Sequence, residues 1–174
     1  MNFRDLTAEE IECRVQSVKQ NGLVLLLYKN ARCDMNILDE TVGAENWQRE
    51  HYECKGNLFC RVGIHIGNTQ DKPIFIWKSD CGTESNTEAQ KGEASDSFKR
   101  ACFNWGIGRE LYTSPFIWIP ADKCNITEGK NGSKQCYDKF EIEKIIIENK
   151  RIVALAIRNV TKGVRAFVWQ REAK

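Results

Sequence analysis

The chain has 174 residues, of which 41% are hydrophobic and 29% charged, an ordinary composition for one globular domain with a sizeable core. Its longest apolar run, residues 23–28, is the size of a strand and excludes a membrane-spanning helix. The net charge of +2 excludes a protein coated in basic residues, but the charge is uneven: residues 1–120 hold 14 Lys and Arg against 17 Asp and Glu, and residues 121–174 hold 12 against 7.

Thr7 ahead of Ala8, Glu9 and Glu10 predicts the capped first turn of a short helix. Residues 13–19 alternate and meet Gln20-Asn21-Gly22, a hairpin signal. Residues 23–28 form the return strand, and their unbroken apolar run predicts burial on both faces. Residues 32–42 predict a helix that turns Ile37, Leu38 and Val42 inward and ends at Gly43. Residues 47–54 and 58–67 form a second hairpin around Lys55-Gly56-Asn57. Alternation puts Leu58, Cys60, Val62, Ile64 and Ile66 on one face of its second strand. A loop over 68–73 leads to a strand at 74–78, and the polar stretch 80–88 reads as a loop with Thr87 as the next N-cap.

Residues 91–112, KGEASDSFKRACFNWGIGRELY, predict a long amphipathic helix. Ala94, Phe98, Ala101, Cys102 and Trp105 make one apolar stripe, Asp96 stands four residues before Arg100, and Gly106 and Gly108 are stop signals. Lys99 and Arg100 lie side by side off the stripe, so a helix pinned by Phe98 and Trp105 would fix two cations in place. Pro115 and Pro120 bracket an extended edge at 116–119, residues 121–135 read as a mobile loop, and residues 140–148, 152–159 and 164–169 read as three strands. The fold class expected is α+β: an antiparallel β-meander packed against a long helix, with a C-terminal β-meander extension. Residues 1–120 form the expected core and residues 121–174 a basic extension packed on it, one domain overall.

Eight cysteines include no CxxC pair, and the two histidines, His51 and His65, both fall on expected strands. Zinc-site spacing is absent, and the cysteines read as small core hydrophobes in a reducing compartment. The N-terminal segment lacks the apolar core of a signal peptide, so a cytoplasmic location is expected.

The pattern KGEASDSFKRAxxxxGIGRxLY resembles the signature helix of the Rad52/Rad22 superfamily of single-strand annealing proteins, of the type carried by bacteriophages and prophages. Residues 30–48, NARCDMNILDETVGAENWQ, resemble a second block of that family, in which an Arg begins a helix, a Val-Gly ends it and a Trp opens the next strand. The resemblance covers residues 8–120. It implies ATP-independent annealing of complementary strands in recombination and repair, by a homo-oligomeric ring inside a bacterial host cell. It implies that Lys99 and Arg100 line a deep groove for single-stranded DNA and that Arg32 reaches the same groove. Lys91 and Arg109 flank the helix as further DNA-binding candidates. Each phosphate contact releases counterions, and backbone contacts carry no sequence information, as a general annealing protein requires. The partners implied are single-stranded DNA, a phage exonuclease and a host single-strand-binding protein, with no membrane, catalytic residue, metal or cofactor.

The chain departs from the eukaryotic pattern twice. Phe103 stands where those members carry a further Arg, and residues 80–90 contain no Lys or Arg, so a second, outer DNA site is not expected. Other functions remain open beside this one. A double-stranded nucleic-acid reader or adaptor fits the same element order. A metal-dependent nuclease would draw on Asp34, Asp39 and Glu40, or on Asp80, Glu84 and Glu88, though neither group has a recognisable ligand spacing. No GxxxxGK[ST] loop occurs, which disfavours ATP-driven strand exchange.

Overall fold

A computed structural model describes residues 1–70, 72–83 and 89–172, leaving aside the side chains of residues 89–91. The protein is α+β, with mostly antiparallel strands and two α-helices. It divides into two compact units: residues 1–4 with 30–108, and residues 5–29 with 109–174.

The first unit is built on a meander of β3 (Trp47–Cys54), β4 (Asn57–Thr69) and β5 (Lys72–Cys81). Lys55 and Gly56 both have positive φ, which lets the tight turn between β3 and β4 follow the strand twist. Two helices complete the unit, α1 (Ala31–Val42) and α2 (Ala89–Trp105). The Asn30 side chain caps α1 by accepting from Cys33 N at 3.0 Å. Cys33, Ile37 and Leu38 are buried, as the helical spacing predicts. α2 packs on β4 and β5, and Cys60, Val62 and Ile64 beneath it are fully buried. Ile66, expected on the same covered face, is exposed instead. The expected loop over 68–73 is shorter: strand pairing continues to Thr69 and resumes at Lys72. The expected N-cap, Thr87, lies outside the described residues.

The second unit holds a six-stranded sheet in the order β11-β10-β9-β1-β2-β6. Its strands are β1 (Glu12–Lys19), β2 (Gly22–Tyr28), β6 (Ile117–Pro120), β9 (Phe140–Glu148), β10 (Arg151–Asn159) and β11 (Val164–Gln170). Glu12 pairs with Glu141, so the first hairpin of the chain and the C-terminal meander share one sheet. β2 is not buried on both faces as its composition suggests: Leu23 and Leu25 are buried, whereas Leu26 is exposed. Residues 121–135, expected to be a mobile loop, form a 3-10 turn and a small hairpin of β7 (Thr127–Glu128) and β8 (Lys134–Gln135). The expected short N-terminal helix is a 3-10 turn, Ala8–Glu10, in which Thr7 N donates to Glu10 Oε2 at 2.8 Å. Among the described residues, no helix is long and apolar enough to cross a membrane.

Candidate nucleic-acid interface

α2 is fixed along its length. Phe98, Ala101 and Cys102, the centre of the predicted stripe, are fully buried. Phe98 stacks on Trp47 with ring centroids 6.1 Å apart. Trp105 Nε1 donates to the Val62 carbonyl at 3.0 Å. Toward the other end, Leu58 N donates to Glu93 Oε1 at 3.0 Å, and His51 Nε2 lies 3.0 Å from the Ala94 carbonyl. Gly82, at the end of β5, comes so close to the helix that a Cβ there would stand 2.2 Å from the Glu93 carbonyl oxygen. The helix closes at Gly106, φ +98°, where Gly106 N donates to Phe103 O at 2.9 Å and Ile107 N to Cys102 O at 3.1 Å. These two bonds form a Schellman ending, with the buried Ile107 beyond it.

This shelf carries Lys99 and Arg100, each set against a carboxylate. Lys99 lies off the stripe in sequence, yet its side chain is buried, the residue being 5% exposed, with Nζ 4.0 Å from Asp96 Oδ1. Asp96 Oδ2 also accepts from Thr83 N at 3.1 Å and Thr83 Oγ1 at 3.2 Å. Arg100 keeps 41% of its side chain exposed and donates from Nε to Asp80 Oδ1 at 3.3 Å. The helical pairing of Asp96 with Arg100 expected from the i, i+4 spacing is therefore replaced: Asp96 serves Lys99, and Arg100 reaches across to β5.

Arg32 is exposed in the first turn of α1, a helix that packs against α2. Lys91 is in the first turn of α2, and its side chain is outside the described residues. Arg109 is exposed at the start of a 3-10 turn, Arg109–Thr113, in the second unit, whereas Arg32, Lys99 and Arg100 are in the first. Sequence reasoning missed two cations on the helix-facing side of the sheet. The Arg49 guanidinium lies 4.8 Å over the Phe98 ring. Lys78 Nζ lies 4.5 Å over Trp105 and donates to the Asn104 carbonyl at 2.9 Å. Strand alternation held the signal: Arg49 is two residues from Trp47 and so shares its face. Trp105, with its indole N–H engaged and Lys78 over its ring, is part of the packing.

Arg61 is on the face of the sheet away from α2. Its Nη2 is 2.6 Å from Glu50 Oε2, and its guanidinium lies 4.5 Å over Trp77. Trp77 in turn lies against Gly63, where a Cβ would be 2.8 Å from the indole. The carboxylates weighed as nuclease ligands have other engagements. Asp39 accepts from Trp47 Nε1 at 2.6 Å, Glu40 pairs with Arg4 at 2.7 Å, and Asp80 holds Arg100. Glu84 and Glu88 are outside the described residues. Among the described residues, no group of three or more His, Cys, Asp or Glu is placed to hold a metal ion. Burial pushes the Cys13 thiol up to about 12 and those of Cys60 and Cys124 to about 11, so all three remain protonated at neutral pH.

An α-helix carrying adjacent Lys99 and Arg100 packs on an antiparallel meander. The chain matches, over residues 4–130, the family described as Rad52/22 family double-strand break repair protein, and it belongs to that family. The family is one of DNA recombination and repair proteins that bind DNA, anneal strands and form oligomers. Comparison with curated proteins and with solved structures returned no match.

Proposed function

We propose that this protein binds single-stranded DNA and anneals complementary strands without ATP, as a homo-oligomeric ring of the phage or prophage type, in the cytoplasm of a bacterial host. The observation that carries the reading is the placement of Lys99 and Arg100 on α2, a helix anchored to the sheet by Phe98, Trp105 and the Gly82 contact. Arg100 has the exposed guanidinium that a phosphate can reach. Lys99, 5% exposed with Nζ 4.0 Å from Asp96 Oδ1, lies just beneath the surface beside it. Arg32 and Arg49 are further exposed cations on elements of the same unit. Such contacts bind the backbone and leave the bases for a second strand to test. No covalent step is required, so the protein is not an enzyme in this reading.

The test is annealing of complementary oligonucleotides, one labelled at each end for energy transfer, without nucleotide or divalent metal. Wild-type protein accelerates pairing and prefers single strands to duplex. Arg100→Gln together with Lys99→Gln, which remove charge while keeping most of the side-chain volume, abolish the acceleration. Full annealing by a folded double variant, or a preference for A-form duplex, refutes the assignment.

A further inference from the structure

The C-terminal meander of β9, β10 and β11 lies beyond residues 4–130, the part of the chain that the family match covers. Its inner face belongs to the core, where Leu155 and Ile157 of β10 are buried. Alternation therefore turns Ala154, Ala156 and Arg158 outward. The register sets larger residues on both sides of the two alanines. Ile146 of β9 and Gln170 of β11 stand opposite Ala154, and Lys144 and Val168 stand opposite Ala156. Small side chains on the middle strand and long ones on its neighbours leave an open trough of about 440 Å³ along β10, a size within the range of pockets that hold small ligands. Its walls are apolar yet face solvent: Val168 is 66% exposed and Ile146 38%.

One end of the trough is cationic. Arg158 and Arg165 stand directly opposite each other on β10 and β11, an arrangement that is unfavourable for like charges. Glu143 engages Arg165 through two bonds, of 2.7 Å and 2.6 Å. Among the described residues, Arg158 and Lys144 make no ion pair, although Glu141 is opposite Arg158 in the register. We propose that the trough binds an acidic segment of another protein, with the apolar side chains of that segment over Ala154 and Ala156 and its carboxylates at Lys144 and Arg158. A guanidinium receives a carboxylate in a forked geometry, and two unengaged cations speed encounter with an acidic partner. The aliphatic walls favour a peptide over a nucleic acid, because a base stacks on an aromatic platform. Trp169, the ring nearest the trough, is opposite Leu155 and so belongs to the core side of the sheet.

Fluorescence anisotropy on the full chain tests this with labelled synthetic peptides. The first carries a leucine block followed by an aspartate block. In the second, lysines replace the aspartates, and in the third, glycines replace the leucines. The first is expected to bind, and the other two to bind at least about tenfold more weakly. Ala156→Leu fills the floor of the trough, and Lys144→Gln with Arg158→Gln removes the unengaged charge. Each is expected to weaken the first peptide by about tenfold while oligonucleotide annealing keeps its wild-type rate. Arg100→Gln is expected to weaken single-strand binding and leave the peptide unaffected. If Ala156→Leu does not fold, the charge variant and the comparison of peptides decide. No binding of the first peptide, equal binding of all three, trough variants that bind it like wild type, or its displacement by a single-stranded oligonucleotide overturns the proposal. The annealing reading fails separately, by loss of single-strand preference whatever the peptides do.

Discussion

Arg100 Nε stands 3.3 Å from Asp80 Oδ1, a bond from α2 to the end of β5 between residues twenty apart. Both side chains are partly exposed, so the pair contributes about 0.2–1 kcal/mol. Asp80 is also the nearest competitor for any phosphate that Arg100 would bind. Asp80→Asn keeps an oxygen to accept from Cys81 N, which Asp80 Oδ1 does at 2.8 Å, and removes the competing charge. Its expected effect is a gain of about two- to fivefold in affinity for a single-stranded oligonucleotide at low salt, read by fluorescence anisotropy. Unchanged or weaker binding by a natively folded Asp80→Asn would argue against Arg100 as a phosphate contact.

Lys99 and Arg100 should separate in salt titrations and in stability. Arg100→Gln is expected to reduce the magnitude of the salt slope by about 0.7 for one lost phosphate contact with a single strand, with little change in melting temperature. Lys99→Ala removes a buried aliphatic stem as well as the charge beside Asp96. It should lower stability by on the order of 1–3 kcal/mol, which urea unfolding would measure. Equal stability losses from the two variants would mean that the burial of Lys99 contributes nothing particular.

The features legible in the sequence were those with a local signal. Asn21-Gly22 and Lys55-Gly56 set the hairpins, alternation set the buried face at Cys60, Val62 and Ile64, and the Phe98–Trp105 stripe set α2, which stops at Trp105 and does not run on to Tyr112 as the expected range did, residues Arg109–Thr113 forming a 3-10 turn. What escaped depends on partners far along the chain. Nothing near residue 12 says that Glu12 will pair with Glu141, so the first hairpin's place in the C-terminal sheet was not readable. Leu26 belongs to an apolar run, but only the sheet's two faces decide that it is exposed while Leu25 is buried. The neighbouring cations were visible in residues 99 and 100. The choice of Asp80 over Asp96 as the partner of Arg100 follows from where β5 ends against the helix.

Asp138 should give the second unit an acid-sensitive joint. Its Oδ2 accepts from Asn125 N at 2.7 Å and from Asn159 Nδ2 at 2.7 Å, and its Oδ1 accepts from Asn125 Nδ2 at 3.0 Å. Burial pushes the carboxyl upward, but the hydrogen bonds from Asn159 and Asn125 outweigh it and hold Asp138 below its ordinary value. A depressed folded pKa stabilises fully above the unfolded value and is lost as pH falls through the lower, folded one. Wild type should therefore lose this contribution below about pH 4. Asp138→Asn should melt lower at pH 7 and show a shallower fall in melting temperature below about pH 4. Parallel curves for the two proteins from neutral to acid pH would sink the assignment.

Gly82 sets how closely β5 approaches α2, and therefore where the cationic shelf sits. Its N–H donates to the Leu58 carbonyl at 2.9 Å, tying it across to β4. A Cβ there would meet the Glu93 carbonyl oxygen at 2.2 Å and Ser97 N at 2.9 Å. Both are backbone atoms of the helix, so no side-chain rotation relieves the contact, and α2 must move away from the sheet. Gly82→Ala should cost about 1–3 kcal/mol, a drop of about 2–10 °C in melting midpoint for a chain of this size. Because Glu93 and Ser97 come just before Lys99 and Arg100, the same displacement should weaken single-strand binding even where the variant stays folded. Gly82→Ser should be at least as severe. A Gly82→Ala protein that melts and binds like wild type would mean that the helix is not held where Lys99 and Arg100 require it.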